Sequence, residues 1–188
     1  MSIIEDGAGT GNKMKVASNR AHVQAFSTPI FADISERNED TYLICTNGFI
    51  NITTTDTETG ILYVKNTSTT KHLHIASVRA CGNVKQKWKI YKNPTAGSLI
   101  TASTSATITN LVFSNDNTPD MNAYLGSDGS TLTGGKIADN FINNAGHSIE
   151  NYEGAVILER NDSMAITVEC SAAGDICSRI LAYYEEVE

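Results

Sequence analysis

From about residue 29 to the end of the chain, apolar residues fall in short runs of strand length separated by turn residues. Residues 42–46 and 49–53 flank Asn47-Gly48, the strongest short hairpin signal. Ile61, Leu62, Tyr63 and Val64 follow Gly60, and residues 72–78 and 85–92 flank Gly82-Asn83. At 93–97, Pro94 sets φ and Gly97 is free to take positive φ, so this segment reads as a turn. Residues 106–113 alternate threonine with larger apolar side chains. Residues 115–135, with Pro119 and several Gly and Asp, read mainly as a long loop. Residues 155–159 and 163–170 predict a hairpin over Arg160-Asn161-Asp162, and 176–184 close the domain. In 163–170 the residues Met164, Ile166, Val168 and Cys170 share one face, while Ala165, Thr167 and Glu169 share the other. That period of two predicts one buried face and one wet face.

Eight to ten such strands and no convincing helix predict an all-β fold, an antiparallel β-sandwich of jelly-roll type. The alternative is an immunoglobulin-like sandwich, which needs fewer strands. Residues 1–28 stand apart as an extended N-terminal arm, and 29–188 form the sandwich domain. Gly7, Gly9 and Gly11 have no side chain to pack and a high entropic cost of ordering. Such a segment stays loose or is ordered by lying along another chain. Some strands are apolar on both faces, as at 61–64 and 155–158. A two-layer sandwich covers one face of each sheet, so the other needs either a subunit interface or the 115–135 loop folded over it. The first option favours a closed oligomer, a homotrimer.

At 188 residues the chain supports one well-buried core. Its net charge of −7 argues against a nucleic-acid ligand, because no patch is large enough to neutralise many phosphates. No apolar run is long enough to span a membrane, and no basic-then-apolar leader is visible at residue 1. The expectation is synthesis in a cytoplasm. Cys45, Cys81, Cys170 and Cys177 contain no Cys-x-x-Cys pair, and all four read as small packing residues. Cys170 and Cys177 are the one pair that a turn brings together.

Candidate chemistry is sparse. Gly7-Ala8-Gly9-Thr10-Gly11-Asn12-Lys13 lacks the glycine before and the Ser or Thr after the lysine of a phosphate loop, and no strand–helix context surrounds it. His72 and His74 share a strand face, as zinc ligands can, but they lack an evident third ligand. Residues 115–120 with Asp128 carry oxygen donors, but not in the order of a calcium loop, and Asx-rich turns commonly cap their own backbone. Catalytic, cofactor and metal residues are therefore all expected to be none. Lys85, Lys87 and Lys89 point from one face of a strand, with Lys92 close by. They read either as an edge strand protected by lysines or as a basic stripe that docks on an acidic partner. Trp88, the only tryptophan, reads as a core anchor, with sugar stacking as the alternative.

The opening Ile3-Ile4-Glu5-Asp6-Gly7, with Gly9 and Gly11, then Lys13, Lys15-Val16 and Asn19-Arg20 with His22, resembles the start of a group of tailed-bacteriophage virion proteins. Residues 93–97 and the late 155–170 segment resemble parts of the same group. The resemblance implies a non-enzymatic virion structural protein that decorates or cements the capsid surface. Its partner would be the major capsid protein or another virion protein. Ile3, Ile4, Lys13, Lys15, Arg20, Lys85, Lys87 and Lys89 are the expected interface residues. The alternative is a phage tail or fibre module binding host carbohydrate through Trp88, the tyrosines or the 115–129 loop.

Overall fold

The computed structural model describes residues 40–102, 104–113 and 117–186, together with the backbone of eight residues nearer the N-terminus. Those eight form two short ladders: β1 (Ile4–Glu5) with β2 (Lys13–Met14), and β3 (Val16–Ala17) with β4 (Arg20–Ala21). The expected ordering of the arm against a neighbour lies outside the described residues.

Every regular element among the described residues is a strand. They are β5 (Thr41–Cys45), β6 (Ile50–Ile52), β7 (Thr59–Asn66), β8 (Lys71–Lys92), β9 (Thr107–Asn110), β10 (Met121–Leu125), β11 (Lys136–Leu158), β12 (Ser163–Cys170) and β13 (Gly174–Glu186). All pairings are antiparallel, and the registers reduce these strands to four long tracks. β12 and β13 run end to end along one side of β8, from Met164 opposite Lys92 to Glu186 opposite Lys71. On their far side, β7, β6 and β5 do the same. Ser163 faces Lys65, Gly174 faces Ile52 and Tyr183 faces Thr41. β11 covers the other side of β8, from Lys136 opposite Lys92 to Leu158 opposite Leu73.

The tracks 41–66, 163–186, 71–92 and 136–158 are irregular at a common level. This level falls at 53–58, at 171–173, around Gly82–Lys85, and at the bulge between Asn144 and Gly146. Here Gly82 faces Gly146. A Cβ on Gly82 would run into the Gln86 amide, and Gly146 holds a φ of +99°. The two glycines let the central strand and its neighbour turn without a side-chain clash. The sheet folds over along this line, and its far corners meet. β10 flanks β7 and β9 flanks β5, and the segments beside them are joined by Ala106 N–H to Ala123 O (3.0 Å) and Leu125 N–H to Thr104 O (2.9 Å). The result is an antiparallel sandwich, nearly closed like a barrel.

Between the layers lies one core in which both halves of each track take part. Tyr42 and Ile44, Leu62 and Val64, Leu73 and Ile75, Trp88 and Ile90, Ile166 and Val168, and Ile176 and Ile180 all belong to it. Trp88 is fully buried, stacks on Phe141 at 6.4 Å between ring centroids, and donates its indole N–H to Gln86 Oε1 at 3.2 Å. Its polar atom is therefore satisfied inside an apolar interior.

Five sequence expectations are corrected here. Asn47-Gly48 does not make a hairpin. β5 and β6 both pair with β13, and the dipeptide is a bulge inside one track, where Thr46 N–H reaches Ser178 O at 3.0 Å. A type I′ turn needs positive φ at both residues, and only Gly48 has it. Gly82-Asn83 does not end a strand in a tight turn, because β8 continues through it and only bends there. The 160–162 segment does not close a hairpin, since β11 and β12 lie on opposite sides of β8. The second face of 163–170 is not wet. Ala165 and Thr167 are fully buried, and Leu99 packs with Ala165 and Tyr63, backed by Ile100, Tyr124 and Leu132. The 95–102 and 131–133 segments, tied by Thr133 N–H to Ala96 O (2.8 Å), thus cover that face from within the chain. The need for a subunit interface at 61–64 disappears with it.

The fifth correction concerns the cysteines. Cys81 and Cys177 are bonded directly across β8 and β13, Cα to Cα 5.2 Å, while Cys170 is buried and Cys45 half-buried, both as free thiols. Cys170 faces Gln86 in the ladder, so its nearness to Cys177 in sequence brings no pairing. Thiol titration of the unfolded, unreduced protein should therefore count two thiols, rising to four after reduction. Replacing Cys81 and Cys177 together by alanine should lower the urea-unfolding free energy by about 2–4 kcal/mol.

Candidate docking face

Three of the sequence-predicted interface residues fall on the outer face of β8. Lys85 and Lys87 are exposed and Lys89 is half-buried. β8 is flanked on both sides over the whole stripe, so the edge-protection reading does not apply. Two of the three are neutralised within the chain. Lys87 Nζ lies 2.6 Å from Glu169 Oε1, its neighbour across the ladder, and Lys89 pairs with Glu58, which also accepts from Thr167 Oγ1 at 2.7 Å. Burial pushes the Glu58 carboxyl up, but hydrogen bonds from Lys89, Thr167 and Tyr91 outweigh it and hold the group below its usual range. Lys85 has no ion pair among the described residues. Ile3 and Lys15 lie outside the described residues, and for Ile4, Lys13 and Arg20 only the backbone of β1, β2 and β4 is described.

The remaining polar candidates are also committed locally. Asp128 accepts from the Thr53 and Thr54 backbone N–H groups at 3.0 and 3.2 Å, pinning the bend at 53–58. His74 Nδ1 lies 3.0 Å from Gly154 O and Nε2 lies 3.0 Å from Glu185, with the ring stacked on Tyr183. No group of three or more potential metal ligands forms among the described residues. Asp40 gathers Lys71 (2.5 Å), the Tyr42 hydroxyl (3.2 Å) and the Asn117 amide (3.2 Å), and burial raises Tyr42 well above the ordinary tyrosine range.

The opposite outer face differs in kind. The disulfide fixes the alignment of β8 with β13, so Arg79 stands directly opposite Arg179, and Ser77 opposite Leu181. β5 extends the rows with Cys45 opposite Arg179 and Leu43 opposite Leu181, and β11 adds His147 opposite Cys81 and Ile149 opposite Arg79. Two adjoining depressions result. One, of about 210 Å³, is lined by Leu43, Ser77, Arg79, Leu111, Arg179 and Leu181; the other, of about 60 Å³, by Arg79, Ala80, Cys81, His147, Cys177 and Arg179. No carboxylate lines either, and neither arginine has an ion pair among the described residues. Like charges directly opposite on a sheet destabilise it. A planar guanidinium pair beside leucine side chains offers bidentate recognition of a carboxylate attached to an apolar group.

Sequence reading missed this face, although a signal existed. Arg79 precedes Cys81 by two residues and Arg179 follows Cys177 by two. Pairing those cysteines on antiparallel strands would have set the arginines opposite each other. Compared with known protein families, with curated proteins and with solved structures, the chain matches none.

The two faces respond differently to mutation. Lys85→Glu should leave the urea midpoint nearly unchanged, whereas Lys89→Glu, which sets a carboxylate against Glu58, should cost about 1–2 kcal/mol. Because the folded Glu58 pKa lies below the unfolded one, its stabilisation is present above about pH 4.5 and is lost as the pH falls through the folded value. Glu58→Gln should flatten that acid limb in a stability–pH profile, and an unaltered profile would contradict this assignment.

Proposed function

We propose that this chain is a non-enzymatic virion structural protein that decorates or cements a phage capsid surface through protein–protein contacts. The Arg79–Arg179 couple, which has no ion pair among the described residues, carries the reading together with its leucine-rich surround. It is a surface complementary to an acidic, partly apolar protein segment. The resemblance of residues 3–22 to phage virion proteins supplies the setting. A stiff sandwich presenting such a face suits a lattice, where contacts that are weak singly are multiplied by symmetry. The tail or fibre reading has less support, because Trp88 and the tyrosines Tyr42, Tyr63, Tyr183 and Tyr184, among the aromatics it would use, are buried.

Copy number per particle separates the two. Quantitative mass spectrometry of purified virions, normalised to the major capsid protein, should give hundreds of copies, with density for this chain on the head surface in a cryo-electron map. A handful or a few dozen copies would place it in the tail and end the capsid reading.

A further inference from the structure

The outer face of the β13 half has a second feature beside the arginines. Among the described residues β11 pairs only with β8, so it forms an open edge, and of its exposed isoleucines Ile149, opposite Arg79, and Ile157, opposite His74, lie on this half. A long, apolar, uncovered edge is a template for association. Ile149 and His147 belong both to this edge and to the rows that contain Arg79 and Cys81.

We propose that this face receives the 3–6 segment, Ile3-Ile4-Glu5-Asp6, of a second copy of the chain. The inference rests on the contact reading above and names its partner. In extended backbone, alternate residues share a side, so Ile3 with Glu5, or Ile4 with Asp6, presents an isoleucine and a carboxylate roughly 6–7 Å apart. Arg179 and Leu181 alternate along β13 with the same rise. A carboxylate set on the Arg79–Arg179 couple therefore brings its isoleucine over the depression lined by Leu43, Leu111 and Leu181. Ile4–Glu5 is itself strand backbone. The repulsion between the two guanidiniums turns into attraction for the carboxylate between them. A chain's own arm would cover the arginines and leave the β11 edge open. The body of a second copy, delivering its arm, covers both.

Reciprocal charge exchange in full-length chains tests this. Light scattering at micromolar concentration should give the wild type a mass that is a multiple of 20.2 kDa. Arg79→Glu with Arg179→Glu, and separately Glu5→Arg with Asp6→Arg, should each fall to a single chain with an unchanged circular dichroism spectrum. Mixing the two variants should restore the heavier species, since each reversed arm then meets a reversed face. If either reversal disturbs the fold, Arg79→Gln with Arg179→Gln should still weaken self-association at least tenfold. A monomeric wild type, assembly that survives either reversal, or a mixture that stays monomeric would overturn the inference. None of these outcomes bears on copy number in the particle, which tests the contact reading by itself.

Discussion

The register shared by four long antiparallel tracks is the constraint on which the rest of the molecule depends. Because 71–92 pairs along its whole length with 163–186 on one side and 136–158 on the other, neither layer of the sandwich has a central strand of its own. Each track must supply both layers, so the apolar residues of its two halves have to point into the same space after the bend. Trp88 and Ile90 in one half of β8, and Leu73 and Ile75 in the other, meet in one core only if the fold line sits between them. The glycines and bulges are placed there, and Asp128 holds the bend through the Thr53 and Thr54 amides. A one-residue slip would send a whole set of side chains to the wrong face. The Cys81–Cys177 bond lies within a few residues of the bend on the two tracks that carry most of the core, where it resists such a slip.

Local pattern made the strand content and the all-β class legible, because alternation in residues such as Met164, Ile166 and Val168 is a property of neighbours in sequence. Strand pairing was less legible, because it depends on partners a hundred residues away. Gly82-Asn83 carries turn chemistry, yet Gly82 sits in a continuous strand because its neighbours leave no room for a Cβ. β11 was missed between 136 and 154 because, as an edge strand, it has few buried residues; Ala138, Asn140, Asn144 and Ala145 show no apolar period. Ala165 looked wet and is fully buried, because Leu99, which packs on it, is not adjacent in sequence. Of the expected interface, the lysine stripe was legible as a stripe. That Glu58 and Glu169 neutralise two of its members was not, since Glu58 lies on a different track.

The two outer faces therefore differ in how their charge is balanced, and this bears on how a partner is recognised. On the lysine face Glu169 and Glu58 neutralise Lys87 and Lys89, and Lys85 is left as the uncompensated charge of the stripe among the described residues. The arginine face keeps its charge, but it belongs to a chain of net charge −7, whose overall field repels an acidic partner. At physiological ionic strength that repulsion is screened beyond about 8 Å, and the guanidinium couple can act only inside that range. The recognition proposed at Arg79 and Arg179 is consequently short-ranged. It depends on bidentate geometry and on the adjoining leucines rather than on steering, and it gains its selectivity at the docked stage. A surface of that kind suits partners already held close by, as neighbouring subunits are on an assembled lattice.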